Sequence, residues 1–230
     1  MKTSVIIRTK NEGKWLRTLL KSLELQSTPP DEIIIVDSGS TDNTLSIINN
    51  FNCVLINADD HVFNYSKSLN IVFERDENDC ITMLSGHSLP FDRYLVENGS
   101  KLLYSDPNIA GVGGFMYPLF DAPKHEQIEG YYRRLSHEQA GTLNHNPNLS
   151  NTNSMIKKSF WEKYRFDESL LEGCEDYDWA KYWIHNGYNI VKNPVLDIFH
   201  SHWHVPGYIS WDDQVKIWKK TTDLIDLRYA

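Results

Sequence analysis

Over roughly the first hundred residues, continuous apolar runs alternate with apolar residues at helical spacing, and few folds accommodate that alternation. Ser4-Val5-Ile6-Ile7 reads as a short strand. Trp15, Leu16, Leu19, Leu20 and Leu23 then recur on one helical face, and Pro29-Pro30 breaks that helix. Ile33-Ile34-Ile35-Val36 is a second strand that runs into Asp37. Leu45, Ile47, Ile48 and Phe51 fit a second helix, and Val54-Leu55-Ile56 a third strand. Ser66 to Phe73 reads as a helix and Cys80 to Leu84 as a fourth strand. Strands without polar alternation, separated by helices, predict a parallel sheet covered on both faces. Ligands of such sheets bind outside the carboxyl ends of the strands. Arg8-Thr9, Asp37 and Ser85-Gly86-His87 all fall at those ends.

The second half is less regular. Helices are expected over Tyr94 to Tyr104, His125 to Leu135 and Glu175 to His185, the last ended by Gly187. Ile109 to Phe115 reads as a Gly-rich strand, and Asn189 to Lys192 and Val195 to Phe199 as short strands. Thr142 to Asn153, rich in Asn and Pro, reads as a polar loop long enough to have a functional role. Trp179 and Trp183 lie four residues apart on one helical face and read as core packing. Trp211 to Leu227 fits an amphipathic helix, which can pack on its own domain or meet a membrane or a second subunit. No repeat or linker divides the chain.

Charge narrows the function. A net charge of -8 argues against nucleic acid as a partner, because that role needs a basic face. Cys53, Cys80 and Cys174 are scattered without CxxC spacing, which argues against a disulfide framework or a zinc ribbon. No segment reads as a signal peptide, and no run approaches the ~20 apolar residues of a membrane span, so a cytoplasmic location is expected.

Four segments together carry a resemblance: Ser4 to Glu12, Asp31 to Thr44, Glu172-Gly173-Cys174-Glu175-Asp176-Tyr177-Asp178-Trp179 and Phe199-His200-Ser201-His202. In order and spacing they resemble the family 2 glycosyltransferases of the GT-A fold, over roughly residues 2 to 205. The pattern is most similar to members that extend bacterial surface polysaccharides, including rhamnosyltransferase-like enzymes. The resemblance implies an α/β, Rossmann-like, mostly parallel sheet with helices on both faces and a less regular acceptor-side half. It divides the chain into a GT-A domain over 1–205, nucleotide-binding to residue 90 and acceptor-side from 91, followed by a helical tail over 206–230.

The same resemblance implies site roles. Thr9 and Asp37 hold the nucleoside, Lys67 lies near the diphosphate, and Ser85 stands where the first acid of an Asp-x-Asp motif belongs. His87 replaces the metal-binding acid of that motif. Either the metal is lost or His87 is a histidine ligand, and the downstream His200 and His202 favour the ligand. The i, i+2 spacing puts both of those histidines on one face of a strand. Asp176, with Glu175 beside it, is the base that deprotonates the acceptor, and its place near a helix N-terminus is expected to keep it ionised. Imidazole ligands favour Mn2+ over Mg2+ as the divalent cation. The reaction implied is inverting transfer from a UDP-, dTDP- or GDP-type sugar to a glycan or lipid-linked acceptor, at the inner face of the membrane if the acceptor is a lipid. The missing Asp-x-Asp acids also suit a nucleotide-sugar-binding protein that no longer catalyses. A nucleotidyltransferase would need a more Gly-rich, basic loop than Arg8-Thr9-Lys10-Asn11-Glu12-Gly13. A lectin-like module would suit the 7 Trp and 12 Tyr but not the strand–helix alternation.

Overall fold

The computed structural model describes residues 1–58, 64–140, 142–171, 173–201 and 211–230. Its frame is a seven-stranded sheet in the order β3-β2-β1-β4-β8-β6-β9. The strands are β1 (Thr3–Thr9), β2 (Glu32–Asp37), β3 (Val54–Asn57), β4 (Cys80–Ser85), β6 (Ile109–Gly113), β8 (Asn153–Lys157) and β9 (Asn189–Lys192). β1, β2, β3 and β4 are mutually parallel where they pair, as are β6 and β9. β8 runs antiparallel to both β4 and β6 and joins the two parallel blocks. The sheet is thus mixed rather than purely parallel. Its centre holds β8, a strand that the sequence pattern does not announce and that shares only Asn153 with the expected loop.

β8 escaped the sequence pattern because only Met155 and Ile156 in it are strongly apolar. All five of its residues are buried nevertheless. Lys157 is accommodated by sending its ammonium to the carbonyls of Asp106 and Pro107, at 3.2 and 3.4 Å.

Alternate residues of β1 face opposite cores. Val5 and Ile7 join one cluster, with Leu16, Leu19, Leu20 and Leu23 of helix α1 (Leu16–Glu24), Ile47 and Ile48 of α2 (Thr44–Ile48), and Leu95, Val96 and Leu103 of α4 (Leu95–Leu103). Ile6 joins the other, with Leu69, Val72 and Phe73 of α3 (Tyr65–Arg75), Phe160 and Trp161 of α6 (Lys158–Trp161), and Trp179 and Trp183 of α7 (Glu175–His185). Both faces are therefore covered, as continuous apolar strands require. The tryptophans of α7 are core, as their spacing suggested.

A second sheet of three short strands, ordered β5-β10-β7, caps the carboxyl side of the first. It comprises β5 (Leu89–Pro90), β7 (Met116–Tyr117) and β10 (Ile198–Phe199). The expected strand from Val195 is shorter than read: Pro194 to Leu196 form one 3-10 turn, capped by the Asn193 side chain accepting from the Val195 N–H. Proline fixes φ and lacks a donor, which suits a helical first turn better than a ladder. Helix α5 (Lys124–Ala140) extends past its expected end, and α8 (Trp211–Arg228) packs against α7.

Candidate active site at the strand ends

Three loops knit together beyond β1, β2 and β4. The Thr9 hydroxyl donates to Asp37 Oδ1 at 2.9 Å. Asp37, only 2% exposed, also accepts from the N–H groups of Gly39 and Ser40 at 3.1 and 2.8 Å and from the Ser40 hydroxyl. A carboxylate has about four acceptor positions, and these bonds use them to shape the turn after β2. Asn11 Oδ1 in turn accepts from the N–H of Thr41, 2.8 Å away. Lys67 is exposed on the first turn of α3, its N–H capped by Asn64 Oδ1 at 2.9 Å.

Ser85 ends β4, directly beside Arg8 of β1. Past it, His87 Nδ1 lies 2.8 Å from Glu12 Oε1. Gly86 permits that approach, because a Cβ there would fall 2.6 Å from Glu12 Cγ. Pairing of Leu89 and of Tyr117 with Phe199 brings the chain after β10 alongside, so that the His87 and His200 rings stack with centroids 4.5 Å apart. β10 ends at Phe199, so His200 lies just beyond the strand rather than on it, and the same-face argument for a histidine pair on a strand does not apply. His202 lies outside the described residues, as does Glu172. Next to His200 an open groove is lined by Phe91, Tyr117, Phe120, Tyr131, Arg134 and Phe199.

Facing these loops is the first turn of α7. Glu175 is buried and its carboxylate lies 3.5 Å from the Arg8 guanidinium, which also sits over the Tyr65 ring at 5.0 Å. Asp176 accepts from the Asn151 N–H at 3.0 Å, and the Asn151 side-chain amide donates to Glu175 at 3.2 Å. Asn151, fully buried just before β8, therefore grips both acids. Sequence reading missed it, and its setting in an Asn-rich polar stretch carried no signal that distinguished it from its neighbours.

Burial, and then the adjacent Glu175 carboxylate, raise the Asp176 pKa well above the ordinary carboxylate range, against the lowering pull of the Asn151 and Tyr177 N–H groups and of Arg8. The expectation that the helix N-terminus keeps this acid strongly ionised is thus corrected. Desolvation and a like charge outweigh a helix-end effect that is worth only ~0.3–1 kcal/mol in exposed settings.

The fold and this strand-end cluster define an α/β domain whose candidate site lies outside the carboxyl ends of its central strands. The chain belongs to glycosyl transferase family 2, whose model matches residues 4–165. It is 26% identical over 219 residues to the O-antigen chain rhamnosyltransferase RfbN of Salmonella typhimurium, across 90% of this chain and 68% of that protein. Among solved structures, it is similar to the mannosyltransferase PcManGT of Pyrobaculum calidifontis in complex with GDP-Man and Mn2+. There the TM-score is 0.73 and the identity 20%, with 96% of this chain and 64% of that chain covered. It is also similar to residues 1–349 of S. aureus TarS in complex with UDP-GlcNAc, with a TM-score of 0.70, 18% identity and 99% and 66% covered. These likenesses support the GT-A fold, and the chain spans about two thirds of the length of these proteins. The matched family region stops before Glu175, Asp176 and His200.

Proposed function

We propose that the chain is an inverting glycosyltransferase that moves a sugar from a nucleoside-diphosphate sugar to a hydroxyl of a glycan or lipid-linked acceptor in bacterial surface-polysaccharide synthesis. The observation that carries this reading is the Glu175–Asp176 pair, Glu175 buried and Asp176 partly so, both gripped by Asn151 and facing the carboxyl ends of the strands, where such sheets bind ligands.

In the proposed step the acceptor oxygen bonds to the anomeric carbon as the bond from that carbon to the diphosphate breaks. The acceptor proton passes to Asp176. A base of raised pKa holds that proton better than an ordinary carboxylate does, which favours transfer near neutrality. Glu175, paired with Arg8, positions the turn and supplies the like charge. Thr9 and Asp37 shape the loop that takes the nucleoside, Ser85 lines its floor, and Lys67 on the first turn of α3 meets the diphosphate. The groove beside His200 offers aromatic faces to an acceptor sugar.

A divalent cation, Mn2+ favoured over Mg2+, would be held by His87 and His200, with His202 as a further candidate, and would neutralise charge on the departing diphosphate. The fit rests on the donor chemistry: Glu12 Oε1 lies 2.8 Å from His87 Nδ1, so His87 would ligate through Nε2 in the carboxylate–histidine arrangement usual around metals. Among the described residues no group of three or more His, Cys, Asp or Glu forms a complete cage. The donor's phosphate oxygens would complete the coordination. Among the described residues no helix is long and apolar enough to cross a membrane. A cytoplasmic chain that reaches a lipid-linked acceptor at the inner membrane face is proposed, with exposed Val215, Leu224 and Leu227 of α8 as the contact to a membrane or a second copy.

Thermal melts with UDP, GDP, dTDP and CMP, each with and without Mn2+, test this reading. One nucleotide is expected to raise Tm only with Mn2+, and His87→Ala to lose that gain. Stabilisation indifferent to Mn2+ removes the histidine metal site, and no response to any nucleotide removes the transferase reading. Nucleotide binding without turnover of any donor favours the second reading, a catalytically impaired nucleotide-sugar-binding protein, which the absent Asp-x-Asp acids motivate.

A further inference from the structure

The turn that carries Glu175 and Asp176 also carries a third carboxylate, Asp178, for which the proposed reaction has no use. Asp178 is fully buried and accepts from the Tyr164 hydroxyl at 2.7 Å, from Arg228 Nη1 at 2.8 Å and from the Tyr229 hydroxyl at 3.1 Å. Two of those three donors come from the last residue of α8 and the one after it. Arg228 Nη1 also reaches Asp167 at 3.0 Å, in the segment whose backbone carbonyl accepts from Ser66 of α3. A second tie links Asp226 of α8 to Tyr177 and Lys181 of α7, at 3.0 and 2.9 Å.

The entry to this turn is not held by its own sequence. Gly173 has φ +93° and Cys174 φ +71°, so a non-glycine residue occupies the left-handed region. That conformation costs an L residue roughly 1–2 kcal/mol. What packs against it is again α8: Cys174 Sγ lies 3.9 Å from the Trp218 carbonyl oxygen, and a Cβ on Gly173 would fall 3.6 Å from Trp218 Nε1. The helix therefore bears on the acidic turn from its strained entry and from its buried third carboxylate.

We propose that α8 is a positioning latch for the general base, with Arg228 and Tyr229 clamping Asp178 so that Asp176 and Glu175 face the strand ends. The proposal rests on the reading of Asp176 as the base. Removing Arg228 leaves a buried carboxylate without its cation, and the turn must rearrange to give it water or a proton. A displacement of about 1 Å at a reacting group can cost on the order of 10²-fold in rate.

The test uses the full chain and follows nucleoside diphosphate released from UDP-N-acetylglucosamine, GDP-mannose and dTDP-rhamnose, together with the Kd of the released nucleotide. Arg228→Gln is expected to lower kcat at least tenfold with Kd within twofold of wild type, and Arg228→Lys to restore part of the loss. Tyr229→Phe, which removes one donor and no charge, is expected to lower kcat less, and it decides the matter if Arg228→Gln does not fold. Wild-type kcat in folded Arg228→Gln or in Tyr229→Phe, while Asp176→Asn has lost at least a hundredfold in kcat, overturns the latch alone. A fall in nucleotide affinity parallel to the fall in kcat also overturns it, because the clamp would then hold the whole domain rather than the base. Wild-type turnover by Asp176→Asn overturns the base reading and the latch with it.

Discussion

Asp176→Asn is expected to lower kcat by about 10²–10⁴-fold, the range that a positioned general base contributes, while nucleotide affinity stays near wild type. The asparagine keeps the size of the side chain and one oxygen to accept from the Asn151 N–H. It loses the ability to take a proton. To act as the proposed base Asp176 must be unprotonated, and burial with the Glu175 charge raises its pKa above the ordinary carboxylate range. Activity should therefore fall on acidification well above the pH at which an ordinary carboxylate protonates.

The sign for stability is opposite to that of a salt-bridged acid. The folded state binds the proton more tightly than the unfolded chain does, so folding stability declines as pH rises from the unfolded pKa to the raised folded one. Asp176→Asn removes that cost and should melt no lower than wild type at neutral pH. Nucleotide binding lost together with activity, or full activity in the variant, would show that Asp176 is not the base.

Trp179→Ala, one turn further along the same helix, should instead cost about 3–5 kcal/mol of stability. Trp179 is fully buried, its ring lies within 6.0 Å of Trp183 and 6.3 Å of Phe166 between centroids, and its indole N–H donates to the Tyr164 carbonyl at 2.8 Å. Alanine leaves a large apolar void and a buried carbonyl without its donor. For a chain of this size each kcal/mol is worth roughly 2–4 °C in Tm, so the melt should fall by roughly 6–20 °C. Urea unfolding checks it: a loss below about 1 kcal/mol would contradict the burial described. With these outcomes the two variants would separate the faces of α7, one proposed to carry chemistry and the other packing in the core.

How much was legible follows from how local each signal was. The strands Val5–Ile7, Ile33–Val36 and Ile81–Leu84 and the helix at Leu16–Leu23 declare themselves, because burial on both faces or along one stripe demands unbroken or periodic apolar residues. Glu175 and Asp176 stand on the predicted helix, and Thr9, Asp37, Ser85 and His87 stand at or just beyond predicted strand ends. β8 was invisible because Asn153, Ser154 and Lys157 are buried by tertiary partners rather than by their own hydrophobicity. Asn151 was invisible for the same reason.

The sequence by itself determined the sheet's first four strands, the helices that cover them and the family. Those rest on periodicity and on residues adjacent in the chain. Only the tertiary structure decided which carboxylates act as a pair and which serves as an anchor, because Glu175, Asp176 and Asp178 share one acidic turn and differ only in what faces them. It also decided the pKa of Asp176, which depends on burial and on charges brought together by folding, and the meeting of His87 with His200, which depends on strand pairing across more than a hundred residues of chain.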